Sequence, residues 1–267
     1  MTSAAVTLAV DSGVASITLN RPEAGNSINL EMAQLLAQAA TNCDADERIR
    51  CVVLTGAGRM FCVGGDVKLF GAAAAHLPRL VTQLTDSLHA ACMVLAKLQK
   101  PLIVLVNGPA AGAGLGLSML GDIVIAARSA HFTVGYGALG LTPDAGTTWL
   151  LPRLVGIRMA QDMVIRNRRV TSQEAVDAGL VTSLVEDHQL PESGSKMAAQ
   201  LAESATAAIG ASRALLLQSS VTGLEAQMST EARAIALAAA GWESREGIAA
   251  FLGKRKPVFL RPLWFEK

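Results

Sequence analysis

The spacing of apolar positions changes several times along the chain, and each change predicts an element. Residues 6–10 and 14–19 are β-branched, partly alternating runs separated by Asp11-Ser12-Gly13, which predicts a hairpin. Residues 30–44 carry apolar side chains at helical spacing, followed by a strand-like run over residues 49–55. A longer helix is predicted over residues 77–97, with Leu80, Leu84, Leu88, Ala91, Leu95 and Leu98 forming one apolar stripe. Strands are predicted at 102–106, 123–127 and 131–134, with a short helix between the first two. From residue 194 onward the sequence is Ala-rich, helical in pattern and without strand signals. Strands alternating with helices, then a helical tail, predict an α/β fold with a separate helical region.

Two glycine-rich segments interrupt this pattern, each directly after a buried strand. The first is Phe61-Cys62-Val63-Gly64-Gly65-Asp66 and the second runs from Asn107 through Gly108, Gly112 and Gly114 to Gly116. Small residues let a ligand approach the main chain, so that bare N–H groups can point at it. Two such groups on separate loops are able to hold one oxyanion. Tight strand–helix packing is the alternative use of the same glycines. A dinucleotide fingerprint fails on spacing, because Leu117 stands where G-x-G-x-x-G requires its third glycine.

Composition narrows the picture. Hydrophobic residues make up 51% of the 267 residues and charged residues 17%, an excess that predicts an oligomer interface. The formal charge of +1 excludes a broad nucleic-acid footprint. Residues 101–121 are uncharged and long enough to cross a bilayer, but five glycines, Pro109 and Asn107 fit a strand, a loop and a buried helix better. Four cysteines without a C-x-x-C pair read as reduced thiols. The first residues, Met-Thr-Ser-Ala-Ala, lack the basic and apolar regions of a signal peptide, and a cytoplasmic location is expected.

At its two glycine segments the chain resembles the enoyl-CoA hydratase/isomerase (crotonase) superfamily. The resemblance extends from Asn20-Arg21-Pro22 to Phe251 and the basic Lys254-Arg255-Lys256. It implies a repeated ββα spiral core with an acyl-CoA site over residues 1–193, and a helical trimerisation region over residues 194–267. It also implies an acyl-CoA thioester as substrate, with coenzyme A arriving as part of it, no metal and no redox cofactor. Assembly as a homotrimer or homohexamer is expected, with no membrane and no nucleic-acid partner. The oxyanion donors would be the N–H groups of Gly65 and Ala113, flanked by Val63, Gly64, Asp66 and Gly112 against the substrate.

The hydratases of this family use two glutamates, whose positions fall here on Gly116 and Tyr136. Both carboxylates are missing. The stretch from Leu141 to Arg153 instead resembles the phenylacetate-pathway isomerases, which act on ring-epoxide and oxepin CoA thioesters and shift double bonds. In that branch the aspartate at the Asp144 position is the acid/base residue. Asp144 also suits a helix cap near Thr147 or a Pro-Asp-x-Gly turn. A third branch, the halobenzoyl-CoA dehalogenases, has a water-activating histidine at the spacing of His89, a nucleophilic aspartate at Asp144 and an aromatic residue at Tyr136. His89 equally suits a structural role beside the apolar helix stripe.

For the CoA phosphates, Arg21, Lys68, Lys254 and Arg255 are the available cations, and ordinary solvated charge is their alternative reading. Phe251 is a candidate to cover the adenine in a neighbouring subunit. The expected reaction is isomerisation through a thioester enolate. The alternatives are enoyl-CoA hydration, 4-halobenzoyl-CoA dehalogenation, and a non-enzymatic binding or scaffold protein of the same fold.

Overall fold

The computed structural model describes residues 4–260. Residues 1–3 and 261–267, at the outer ends of the two expected regions, lie outside the described residues. Strands β1 (Val6–Asp11) and β2 (Val14–Leu19) form the predicted hairpin. Ser12 and Gly13 both have positive φ, 49° and 80°, which gives the tight two-residue turn whose twist matches paired strands. Helix α1 (Leu30–Ala45) starts at Asn29, whose side chain accepts the Met32 N–H at 2.9 Å. Strand β3 (Cys51–Gly56) begins two residues later than its apolar run, because the Ile49 N–H turns back to the Asp46 carbonyl at 3.0 Å.

Helices α2 (Val67–Ala73) and α3 (Leu77–Lys97) lead to β4 (Leu102–Val106), β5 (Ala110–Ala111) and the short α4 (Ala113–Ser118). The uncharged stretch is therefore strands, a loop and a six-residue helix buried at every position. Among the described residues, no helix is long and apolar enough to cross a membrane. Strands β6 (Ile123–Ala127) and β7 (His131–Thr133) precede α5 (Thr147–Ile165), which is broken at Gly156. After β8 (Val170–Thr171), α6 (Ser172–Asp177) and β9 (Ser183–Val185) come α7 (Leu190–Ala202), α8 (Thr206–Ser219), α9 (Leu224–Ala240) and α10 (Trp242–Leu252).

The strands form two sheets. The larger has the order β1-β2-β3-β4-β6-β9, parallel from β2 onward, and the smaller has the order β5-β7-β8. The chain alternates between them: β3, β4 and β6 lie in the large sheet, while Cys62, Ala110 and Phe132 pair successively beside the small one. Each turn thus adds one rung to both sheets, which is a spiral.

Parallel strands in such a spiral are covered on both faces, so their sequences are apolar throughout. Val52, Leu54, Leu102, Val104, Val124 and Ala126 face the main core with α1 and α3. The alternate residues Cys51, Val53, Ile103, Leu105 and Ile125 face Leu190, Ala198 and Ala202 of α7. Helix α7 spans the position 193/194 and packs on the sheet. Arg213 of α8 reaches back to Asp122 at 2.5 Å and ties the C-terminal helices to the core.

Candidate active site

Hydrogen bonding around the first glycine segment leaves the Gly65 N–H bare. The Ile28 N–H donates to the Gly64 carbonyl at 2.7 Å, and the Asp66 N–H donates to the Ile28 carbonyl at 3.0 Å. In this parallel bridge Ile28 bonds the residues on either side of Gly65, so the Gly65 N–H faces away from Ile28. Gly64 has φ +93°, and a Cβ there would stand 3.0 Å from the Ala111 carbonyl oxygen and 3.5 Å from the Ala113 nitrogen. Only glycine lets the two segments lie this close.

The second segment is clamped to the first. The Ala111 N–H donates to the Cys62 carbonyl at 2.9 Å, and the Cys62 N–H donates to Pro109 at 3.2 Å. Gly112, at φ 55° and ψ −127°, then turns the chain from β5 into α4. Ala113 opens that helix, where an N–H has no intrahelical acceptor. Among the described residues neither the Gly65 nor the Ala113 N–H has an acceptor.

Both residues line one pocket of about 220 Å³. Val63, Gly64, Gly112, Tyr136 and Asp144 line it as well, so seven of the residues singled out from sequence meet there. The Tyr136 hydroxyl donates to Asp144 Oδ1. Burial, with the Asp144 carboxylate beside it, pushes the Tyr136 phenol well above its usual range and keeps it a donor. The Asp144 carboxylate does not cap α5; the helix is preceded by Gly146, and Asp144 contributes only its backbone carbonyl, which accepts the Thr147 N–H at 2.9 Å. A Cβ at Gly116 would meet the Ala145 Cβ at 2.6 Å, so the turn carrying Asp144 fills the space a longer side chain would need.

The other expected residues lie elsewhere. His89 Nε2 accepts the Ala145 N–H at 3.1 Å, and His89 lines a neighbouring apolar cavity of about 840 Å³. Arg21 Nη2 pairs with Asp66 Oδ2 at 2.9 Å, and Arg21 Nη1 donates to the Ser27 carbonyl at 2.6 Å. This nearly buried pair fastens the Asn26-Ser27 loop to the first glycine segment, and Asp66 also accepts the Leu69 N–H at the start of α2. Lys68, Phe251 and Lys254 are exposed and outside the pocket lining, with Phe251 83% exposed. Sequence reasoning missed Ile28, Phe70 and the Leu84-Thr85-Leu88 face of α3, which complete the pocket wall. The helical stripe marked Leu84 and Leu88 as buried, but core and pocket wall give the same signal.

A two-sheet spiral carrying paired glycine segments defines a class, and the chain belongs to it: the enoyl-CoA hydratase/isomerase family, whose family model matches residues 9–262. The protein is an acyl-CoA enzyme of this family. It is 39% identical over 251 residues to the 1,2-epoxyphenylacetyl-CoA isomerase of Escherichia coli (strain K12), covering 94% of this chain and 96% of that protein. It is 35% identical to the 2,3-dehydroadipyl-CoA hydratase of the same organism, covering 91% and 93%. Among solved structures, an enoyl-CoA hydratase from Polaromonas sp. JS666 superposes with a TM-score of 0.90 at 31% identity, covering 94% and 98%. The crotonase fold expected from the sequence is the fold observed.

Proposed function

We propose that the enzyme isomerises a CoA thioester through its enolate, shifting a double bond in an enoyl or ring-epoxide acyl group. The thioester oxygen accepts the Gly65 and Ala113 N–H groups, an oxyanion hole that strengthens as negative charge develops on it. Asp144 takes a proton from the carbon next to the thioester and returns it to another carbon of the same substrate. Tyr136 holds the Asp144 carboxylate by one oxygen, and among the described residues no hydrogen bond engages the other. Coenzyme A is part of the substrate, and the chemistry calls for no metal or redox cofactor.

The observation that carries this reading is the meeting of Gly65, Ala113 and Asp144 on one pocket, with no carboxylate at Gly116 or Tyr136. One acid/base group suits proton transfer within a substrate; adding water calls for a second. The similarity to 1,2-epoxyphenylacetyl-CoA isomerase supports the same choice. The dehalogenase alternative needs His89 to activate water, yet its Nε2 lone pair is already used by Ala145. A panel of crotonyl-, 3-enoyl-, epoxyphenylacetyl- and 4-chlorobenzoyl-CoA, followed by product mass spectrometry, tests the assignment. Isomerisation leaves the mass unchanged, hydration adds water, and dehalogenation exchanges chlorine for hydroxyl.

The proposed assembly is a homotrimer or homohexamer. Helices α8 to α10 leave Leu216, Leu224, Leu237 and Phe251 each more than 70% exposed, an apolar surface that a partner copy would cover. Phe251 and Lys254 would then meet the CoA of a neighbouring subunit, with Lys68 as a further cation for its phosphates.

A further inference from the structure

The turn that carries Asp144 is strained and held from both sides. Ala145 is fully buried and adopts φ +50°, a left-handed conformation that L residues with a Cβ avoid. Gly146 follows at φ +75°. On one side of the turn Tyr136 meets the Asp144 carboxylate. On the other, one turn of α3 beyond the pocket-lining Thr85 and directly after Leu88, His89 accepts the Ala145 N–H at 3.1 Å. That N–H lies on the residue next to Asp144, so its direction and the direction of the carboxylate are set together.

We propose that His89 is a positioning residue: its Nε2 holds the Ala145 N–H and thereby fixes the strained turn that presents Asp144 to the pocket. This rests on the reading of Asp144 as the proton carrier and assigns His89 a role distinct from that of a base. Accepting the bond requires Nε2 to be bare and the ring proton to sit on Nδ1. With its lone pair engaged by an amide, Nε2 is not available to take a proton from water. The neighbouring cavity lies behind His89, with Cys92, Trp149 and Leu150 in its wall, and among the described residues the Ala145 N–H has no acceptor besides His89. A group that must reach a reacting atom gains from being fixed in advance, and a misplacement of about 1 Å costs on the order of a hundredfold in rate.

The test compares three variants. His89→Gln keeps an acceptor at nearly the reach of Nε2; His89→Leu removes it; His89→Asn stays polar but is too short. The expected result is a kcat about a hundredfold lower for the Leu and Asn variants with KM within a few-fold of wild type, and recovery to within a few-fold by Gln. Tyr136 is the only tyrosine of the chain, so the single 13Cζ resonance of ring-labelled protein at neutral pH reports its hydrogen bond to Asp144 without any substrate. In the Leu and Asn variants the Tyr136 resonance should shift, as the carboxylate moves off, and in Gln it should not. Amide exchange at Ala145 should rise in the same two variants. Equal impairment of Gln and Leu, or an unmoved Tyr136 resonance and unchanged Ala145 exchange in Leu and Asn, would overturn the proposal. If the spectroscopic pattern holds while wild type isomerises nothing, the positioning stands and the isomerase reading fails.

Discussion

The hydroxyl of Tyr136 donates its proton to Asp144 Oδ1, across eight residues of chain and at the wall of the pocket that Gly65 and Ala113 also line. In the proposed mechanism the two side chains divide the work: Asp144 carries the proton and Tyr136 holds the carrier. Asp144→Asn keeps the shape but cannot accept a proton at neutral pH. Its kcat for isomerisation is expected to fall by about 10²- to 10⁴-fold, with acyl-CoA affinity retained in calorimetry. Tyr136→Phe should cost less, about tenfold in kcat, because it removes one hydrogen bond to a charged group. Rapid crotonyl-CoA hydration that survives Asp144→Asn would assign the acid/base role to a different residue.

Gly65→Pro removes the N–H that faces away from the Ile28 bridge and is bare. Turnover is expected to drop on the order of a hundredfold or more in protein whose circular dichroism is unchanged. Full activity in a folded variant would place the oxyanion donors elsewhere.

Arg21 and Asp66 form an ion pair whose side chains are 19% and 10% exposed. Truncating one partner strands the other's charge against the Ser27 carbonyl and the start of α2. Arg21→Ala should therefore lose about 3 kcal/mol of stability in urea unfolding. A loss below about 0.5 kcal/mol would mark the pair as an ordinary surface contact.

Alkaline pH should unfold the protein more readily than its near-neutral charge suggests. Burial pushes the thiols of Cys51, Cys62 and Cys92 up to about 12, and that of Cys43 to about 11, from an ordinary 9.0. Tyr136 is raised as well. Each group binds its proton more tightly folded than unfolded. The stability they contribute is complete below about pH 9 and drains away as pH rises toward 12. Thermal unfolding followed from pH 7 to 11 should show a flat midpoint, then a fall beginning near 9. A midpoint that stays level up to pH 11 would show that the thiols are exposed.

The apolar C-terminal helices predict association. Sedimentation at micromolar concentration should give a trimer or a multiple of it, and a monomer would leave Leu216, Leu237 and Phe251 without a cover.

How much of this was legible beforehand depends on how local the cause is. The hairpin turn at Ser12-Gly13, the capped start of α1 at Asn29, the apolar strand β4 and the stripe of α3 follow from neighbours within a few residues. The sequence by itself also determined the two glycine segments, since φ +93° at Gly64 and the turn at Gly112 admit little else. It determined the absence of carboxylates at positions 116 and 136. Only the tertiary structure decided which side chains meet. Arg21 and Asp66 are 45 residues apart, and His89 and Ala145 are 56 apart. Asp144 had two readings from its own neighbourhood, a helix cap and a pocket acid, and local sequence favours the cap. The spiral stacks residue 62 beside residue 110 and turns the 144–146 loop against α3, which delivers the carboxylate to the pocket. Dihedral preferences and caps act over one turn of chain, whereas burial and hydrogen bonding join whatever the fold brings within about 3 Å, so contacts of that kind have no local signature.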